Sequence, residues 1–289
     1  MKSAMKDIAE LQALISLVDE PDEKLYAHIK THILSYGTAA IPPLESAWEK
    51  AFDDTIQQRI IQLIHQIQQE SLYAELHEWG NFGYEDLLRG YLIVTRYQYP
   101  DLNVDQLTRE VGRIVQEVWL ELNNNLTPLE KIKVLNHIFY DINRFSGNTT
   151  NIHLPENFYL KNLLESRKGN PLSLGIFYII IARSMRIPIY GIDLPKHFIL
   201  AYSDELKTEQ TADDVIFYLN PFNKGAIFTK NEIDLYVKQL RLEPKDAYYA
   251  PCSNKAIIIR LIKGLSESYS LSGNPDKSAE LLHLLNALE

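Results

Sequence analysis

The sequence predicts an α+β fold, predominantly helical, on three observations. Apolar residues recur at helical spacing from Leu11 to Ile142, and again from Lys255 to Leu288. Between them lie three extended segments with alternating, β-branched character: IPIYGIDL (187–194), HFILAY (197–202) and VIFYLNPF (215–222). Two capping boxes, Thr127-Pro128-Leu129-Glu130 and Thr229-Lys230-Asn231-Glu232, mark helix starts on either side of the strands.

Each element follows from local chemistry. Leu11, Leu14, Ile15 and Val18 form the first apolar stripe. Gly37 closes a second helical pattern, and Pro42-Pro43 suits the first turn of the next helix. Ile56, Ile60, Leu63, Ile64 and Ile67 share one face of a further helix. Paired amphipathic helices of this length resemble HEAT-like repeats, so residues 1–80 read as a helical region. A wide apolar face follows, from Val104 through Leu107, Val111, Ile114, Val118 and Trp119 to Leu122. The Thr127 cap launches a helix carrying Ile132, Leu135, Ile138, Phe139 and Ile142. The stretch FSGNTTNIHLPEN (145–157) is rich in turn formers.

A short helix is expected from Tyr159 to Arg167, stopping near Gly169. A second runs from Pro171 to about Met185, with Asn170 as N-cap. The acidic stretch SDELKTEQTADD (203–214) reads as a polar loop between the last two strands. After the Thr229 cap and its helix, the chain ends in helices Lys255 to Leu271 and Pro275 to Leu288, parted by Gly273-Asn274. Tyr269, Gly273 and Ala279 are placed roughly as in one tetratricopeptide unit, so residues 251–289 read as a tetratricopeptide-like hairpin. One such unit cannot bury its own faces, which predicts packing on the central domain.

Composition excludes several function classes. The formal charge is −9, and a broad nucleic-acid footprint needs a basic surface, so neither DNA nor RNA is expected as partner. One cysteine, Cys252, rules out an internal disulfide and any Cys-rich metal motif, and no cofactor or metal motif is present. The first twenty residues carry Asp7, Glu10, Asp19 and Glu20 and lack a long apolar run, unlike a signal peptide. The densest apolar run, IFYIIIA (176–182), is too short to span a bilayer. A cytoplasmic protein without a membrane partner is the expectation.

Three pieces carry a family resemblance. They are RKGNPLSL (167–174), LPKHF (194–198) and NPFNKG (220–225), in that order. Over roughly residues 82–289 the sequence resembles the SirB-type transglutaminase-like proteins. The resemblance implies a papain-like α+β core, here residues 81–250. Active members of such folds are implied to work as Cys-His-Asp machines, with the cysteine at a helix N-terminus where the dipole favours thiolate. Aligning Gly169 with the glycine before that cysteine, and Ile187-Pro188 with the Ile-Pro after the helix, puts Pro171 at the nucleophile position. His197 then matches the histidine and Asn220 the orienting carboxylate.

Two readings follow. In the first, a degenerate site without a nucleophile serves a binding or adaptor protein that takes a protein or peptide partner. His197 is then held by Asn220 without turnover, or Asn220 is a turn residue ahead of Pro221. In the second, Ser173 with His197 and Asn220 makes a hydrolase or acyltransferase. Ser173 lies two residues beyond Pro171, about 200° around the helix, so it faces away from whatever Pro171 faces. Other candidates are weaker. His28 and His32 are spaced i, i+4 without the glutamate of a zinc motif. Cys252 sits just before a helix but after the histidine in chain order. Arg167-Lys168 precede the Pro171 helix, where an anion could sit.

Overall fold

The computed structural model of the chain describes residues 2–123, 125–207 and 210–289, with side chains from residue 9 onward. Residues 208 and 209 of the expected acidic loop and the side chain of Asp7 lie outside the described residues. The chain divides into two compact units, Met1–Glu75 and Leu76–Glu289.

The first unit holds α1 (Lys2–Ile15), α2 (Glu23–Ser35), α3 (Ile41–Lys50) and most of α4 (Asp54–Glu78). The apolar stripes meet: Leu11, Ile15 and Val18 bury with Ile29, Ile33, Leu44, Ile60, Leu63 and Ile67. Asp22 caps α2 by accepting the Lys24 and Leu25 amides. Gly37 takes a positive φ of 56° just after α2, and Pro42 and Pro43 sit in the first turn of α3, where no helical donor is needed. Arg59 of α4 fixes the α1–α2 connection. Its Nη1 donates to the carbonyls of Val18 (2.9 Å) and Glu20 (2.7 Å), and its guanidinium lies over the Tyr26 ring.

The second unit opens with α5 (Leu87–Arg96), α6 (Val104–Glu121) and α7 (Pro128–Asn136). The capping box at Thr127 and Glu130 forms as expected. Leu107, Val111, Ile114 and Val118 of α6 are buried, but Trp119 is 62% exposed. It sits about 100° around the helix from Val118, which takes it off the buried stripe. The helix begun by α7 continues as a π-helical turn, His137–Ile142. That wider turn buries Ile138 and Phe139 and leaves Ile142 out.

A two-residue parallel pair, β1 (Ser146–Gly147) and β2 (Lys168–Gly169), flanks α8 (Leu160–Ser166). It is too short to leave a periodic signal. Helix α8 ends at Arg167, a non-glycine residue at φ 59°, not at Gly169. Helix α9 (Pro171–Ser184) follows, buried from Leu172 to Ala182. It packs against a four-stranded antiparallel sheet, ordered β3 (Ile189–Leu194), β4 (His197–Ser203), β5 (Val215–Asn220) and β6 (Ala226–Phe228). The first three strands are the expected extended segments, and β6 is an addition.

Strand period two divides the sheet's residues between two layers. Phe198 of β4 meets α9, where a Cβ added to Gly175 would lie 2.7 Å from its ring. Ile192, Leu194, Ile199, Ala201 and Tyr218 face the other way and bury with Ile233 and Val237 of α10 (Lys230–Gln239). The chain closes with α11 (Asn254–Leu271) and α12 (Pro275–Leu285), joined through Gly273 at φ 77°. Ile257, Ile258, Leu261, Ile262 and Leu265 of α11 are all buried within this second unit. Among the described residues, no helix is long and apolar enough to cross a membrane.

Candidate functional site: the cleft at the start of α9

Asn170 and Ser173 build the start of α9. The Asn170 side chain accepts the Ser173 amide at 2.8 Å, and Ser173 Oγ accepts the Asn170 amide at 3.0 Å. Ser173 Oγ also donates to the Asn170 carbonyl at 3.2 Å. Its proton and an acceptor site are therefore both engaged in a capping box. Ser173 has no exposed surface. Gly169 seals it further, since a Cβ there would lie 2.5 Å from Ser173 Oγ. A hydroxyl so bound reaches neither a substrate nor a base unless the first turn of α9 opens.

Pro171, the next residue in the cap, is only partly buried and lines a cleft of about 570 Å³. Phe158, Phe198, Lys196, Arg260 and Lys263 line it too. Lys196 stands at φ 60° in the two-residue turn between β3 and β4, which tips it away from the strands. Arg260 of α11 bonds the Asp193 carboxylate, donates to the Leu194 carbonyl at 3.1 Å, and lies over the Phe198 ring. Asp193 is thereby neutralised, so the cleft combines two aromatic rings with Lys196 and Lys263 and one remaining carboxylate, Glu267. Arg260 went unnoticed in the sequence. The available signal was a lone arginine inside the apolar run IIIRLI (257–262).

His197 and Asn220 stand elsewhere. His197 has the strand parity of Ile199 and Ala201, and its ring meets Tyr236 of α10 edge-on, with centroids 4.9 Å apart. Partial burial there lowers its pKa from the ordinary histidine value. Asn220 ends β5, and its Oδ1 accepts the amides of Phe222 (3.0 Å) and Asn223 (3.1 Å). That is an Asx turn, steadied by Tyr140 Oη donating to the Pro221 carbonyl at 2.9 Å. Among the described residues, no hydrogen bond joins His197 to Asn220 or to Ser173. Of the four expected residues, only Pro171 and Ser173 share a cap, and only Pro171 lines the cleft.

The remaining candidates have structural partners. His28 Nδ1 bonds the Lys24 carbonyl, and no group of three metal-binding side chains occurs among the described residues. Arg167 pairs with Glu110 at 2.6 Å and lies over Phe145. Cys252 bridges its backbone to Gly191, and burial pushes its thiol up to about 12, opposite to an activated cysteine.

A buried helix across an antiparallel sheet, with a cleft at the helix start, is compatible with a transglutaminase-like core. The match to the transglutaminase-like superfamily covers residues 105–263, and the chain belongs to that family. A UPF0162 protein of Xylella fastidiosa (strain 9a5c) is 30% identical over 195 residues, 65% of this chain and 66% of the relative. A UPF0162 protein of Buchnera aphidicola is 23% identical over 209 residues, 72% of this chain and 74% of the relative. F-box only protein 21 of Homo sapiens is 23% identical over 219 residues, 65% of this chain but only 34% of that protein. No solved structure matches the chain.

Proposed function

We propose that the chain is a non-catalytic binding protein, an adaptor on a transglutaminase-like fold that has lost its nucleophile. The observation that carries this reading is Pro171 at the mouth of the α9 cleft. Proline offers no reactive side chain and no amide proton. The Ser173 hydroxyl of the same cap is held by its bonds to Asn170. The cleft's character favours a peptide segment of a protein partner: Phe158 and Phe198 offer apolar contact, and Lys196 and Lys263, against the single carboxylate of Glu267, favour acidic side chains.

The same reading assigns the protein to the cytoplasm and to the SirB-type branch of the superfamily. It divides the chain into a HEAT-like region (1–80), the transglutaminase-like domain (81–250) and a tetratricopeptide-like hairpin (251–289). The helix–turn–helix pairing of α11 and α12 supports the last assignment, and the shared apolar core of helices α1–α4 supports the first.

Selection from a displayed library of acidic and aromatic peptides tests the proposal. Captured peptides should lose binding in a Lys196→Glu, Lys263→Glu variant and keep it in Ser173→Ala. Those peptides should be recovered intact. Peptide hydrolysis or amine crosslinking that is abolished by Ser173→Ala or Cys252→Ala would sink the reading.

A further inference from the structure

The far end of α9 borders a second cavity, of about 670 Å³, walled also by β3 and the segment leading into α11. Arg183, in the last turn of α9, is mostly buried there. Its Nε donates to the Ile189 carbonyl at 3.0 Å and its Nη1 to Asn254 Oδ1 at 2.8 Å, while the guanidinium stacks on the Tyr190 ring at 4.5 Å. All three partners are neutral. Among the described residues no carboxylate pairs with Arg183, and Nη2 has no partner. Three other partly buried arginines differ: Arg59 meets Glu23, Arg167 meets Glu110, and Arg260 meets Asp193. A buried guanidinium without a counter-charge is costly. In an open cavity, a ligand can supply that charge.

The Glu85 carboxylate and the unpartnered Gln210 Oε1 also line the cavity and oppose an anion there, so the attraction rests on the wall formed by Arg183 and the start of α11. Helix α11, 18 residues long, begins at this wall and directs the positive end of its dipole there. The Cys252 thiol is neutral at ordinary pH, since burial pushes it up to about 12. Glu85 lines the cavity too; its backbone carbonyl accepts Asn254 Nδ2 at 2.9 Å, and its carboxylate forms no ion pair with Arg183. Lys207, the remaining cation of the lining, is already paired with Glu205 and Asp214. One unpaired planar guanidinium matches a monoanionic carboxylate better than a phosphate dianion, which calls for more positive charge.

We propose that this cavity binds a carboxylate group through Arg183 Nη2 and the Asn254 and Lys255 amides of α11, the Ala256 amide being held by the Ser253 cap. The inference is independent of the α9 cleft: it concerns the opposite end of the helix, and the two cavities share no lining residue. The carboxylate comes from a small organic acid or from the C-terminus of a peptide.

Cys252, the chain's single thiol, lines the cavity and reports on occupancy. Because so high a pKa leaves little thiolate, its modification by excess small methanethiosulfonate would be timed at pH 9.5 and constant ionic strength. The additions are glutarate, a pool of tetrapeptides with free C-termini, the same pool amidated, and inorganic phosphate. Slowing of about fivefold or more by glutarate assigns a small acid. Slowing by the free-carboxylate peptides alone assigns a peptide C-terminus. Either protection should vanish in Arg183→Gln. Because that variant removes buried hydrogen bonds, amide shifts of Cys252, Asn254 and Lys255 in the unmodified protein give a second readout. No protection and no amide shift with either carboxylate source, or equal protection by phosphate or by the amidated pool, would overturn the proposal.

Discussion

Pro171 and Ser173 sit in one turn of helix and lead to different expectations. Pro171→Cys, made in a Cys252→Ala background, puts a thiol at the cleft mouth under the α9 dipole. Its pKa should fall below the free value of about 8.5 by roughly one unit. Because the His197 ring faces Tyr236, adding His197→Ala should leave that pKa unchanged, as read from alkylation rate against pH. A shift that shrinks would place the imidazole over the cleft. Ser173→Ala strands the buried Asn170 amide and should cost about 1–2 kcal/mol in denaturant unfolding, with peptide capture intact. Asn170 was legible as the N-cap, but the return bond from Ser173 was not, because a serine three residues on reads equally well as a free hydroxyl. The layer His197 occupies was not legible either. One step along a strand reverses the facing side, and only the sheet's packing on α9 and α10 settles that parity.

At the level of elements, α9 and β4 meet at a contact with no spare space. Gly175→Ala brings a methyl carbon to 2.7 Å from Phe198, and the buried ring has little room to retreat. We expect a loss of about 1–3 kcal/mol, partly restored by adding Phe198→Leu, measurable as a double-mutant cycle. Helix α10 and β4 meet at His197 and Tyr236. The folded state holds the His197 pKa below its unfolded value, so unfolding takes up protons as pH falls through the histidine range. Stability should therefore drop as pH falls below about 6.5, the ordinary histidine value, and His197→Gln should reduce that drop. A melting temperature whose pH dependence is identical in the two proteins would show that this histidine contributes nothing. The long helices and three of the four main strands were readable because period 3.6 and period 2 persist over many residues. The strands β1, β2 and β6, two or three residues each, give periodicity nothing to act on. Arg260 was hidden for another reason: its partners Asp193 and Phe198 lie more than sixty residues away in the chain.

At the scale of the whole molecule, the second unit carries both cavities, the sheet and the C-terminal helices. Residues 76–289 alone should unfold in one cooperative transition, because α11 buries its apolar face inside that unit. A broad, non-cooperative melt of that fragment would show that it depends on the first four helices. Helix α9 spans the unit for 14 residues, roughly 20 Å, with a cavity at either end and buried side chains along its length. A rod packed on all sides has no second position to adopt, since close-packed interiors do not slide by small degrees. Occupancy at one end therefore cannot be transmitted to the other through a shift of the helix. Two ligands should bind as strangers, each with the same affinity whether or not the other is present, and their coupling free energy should lie near zero.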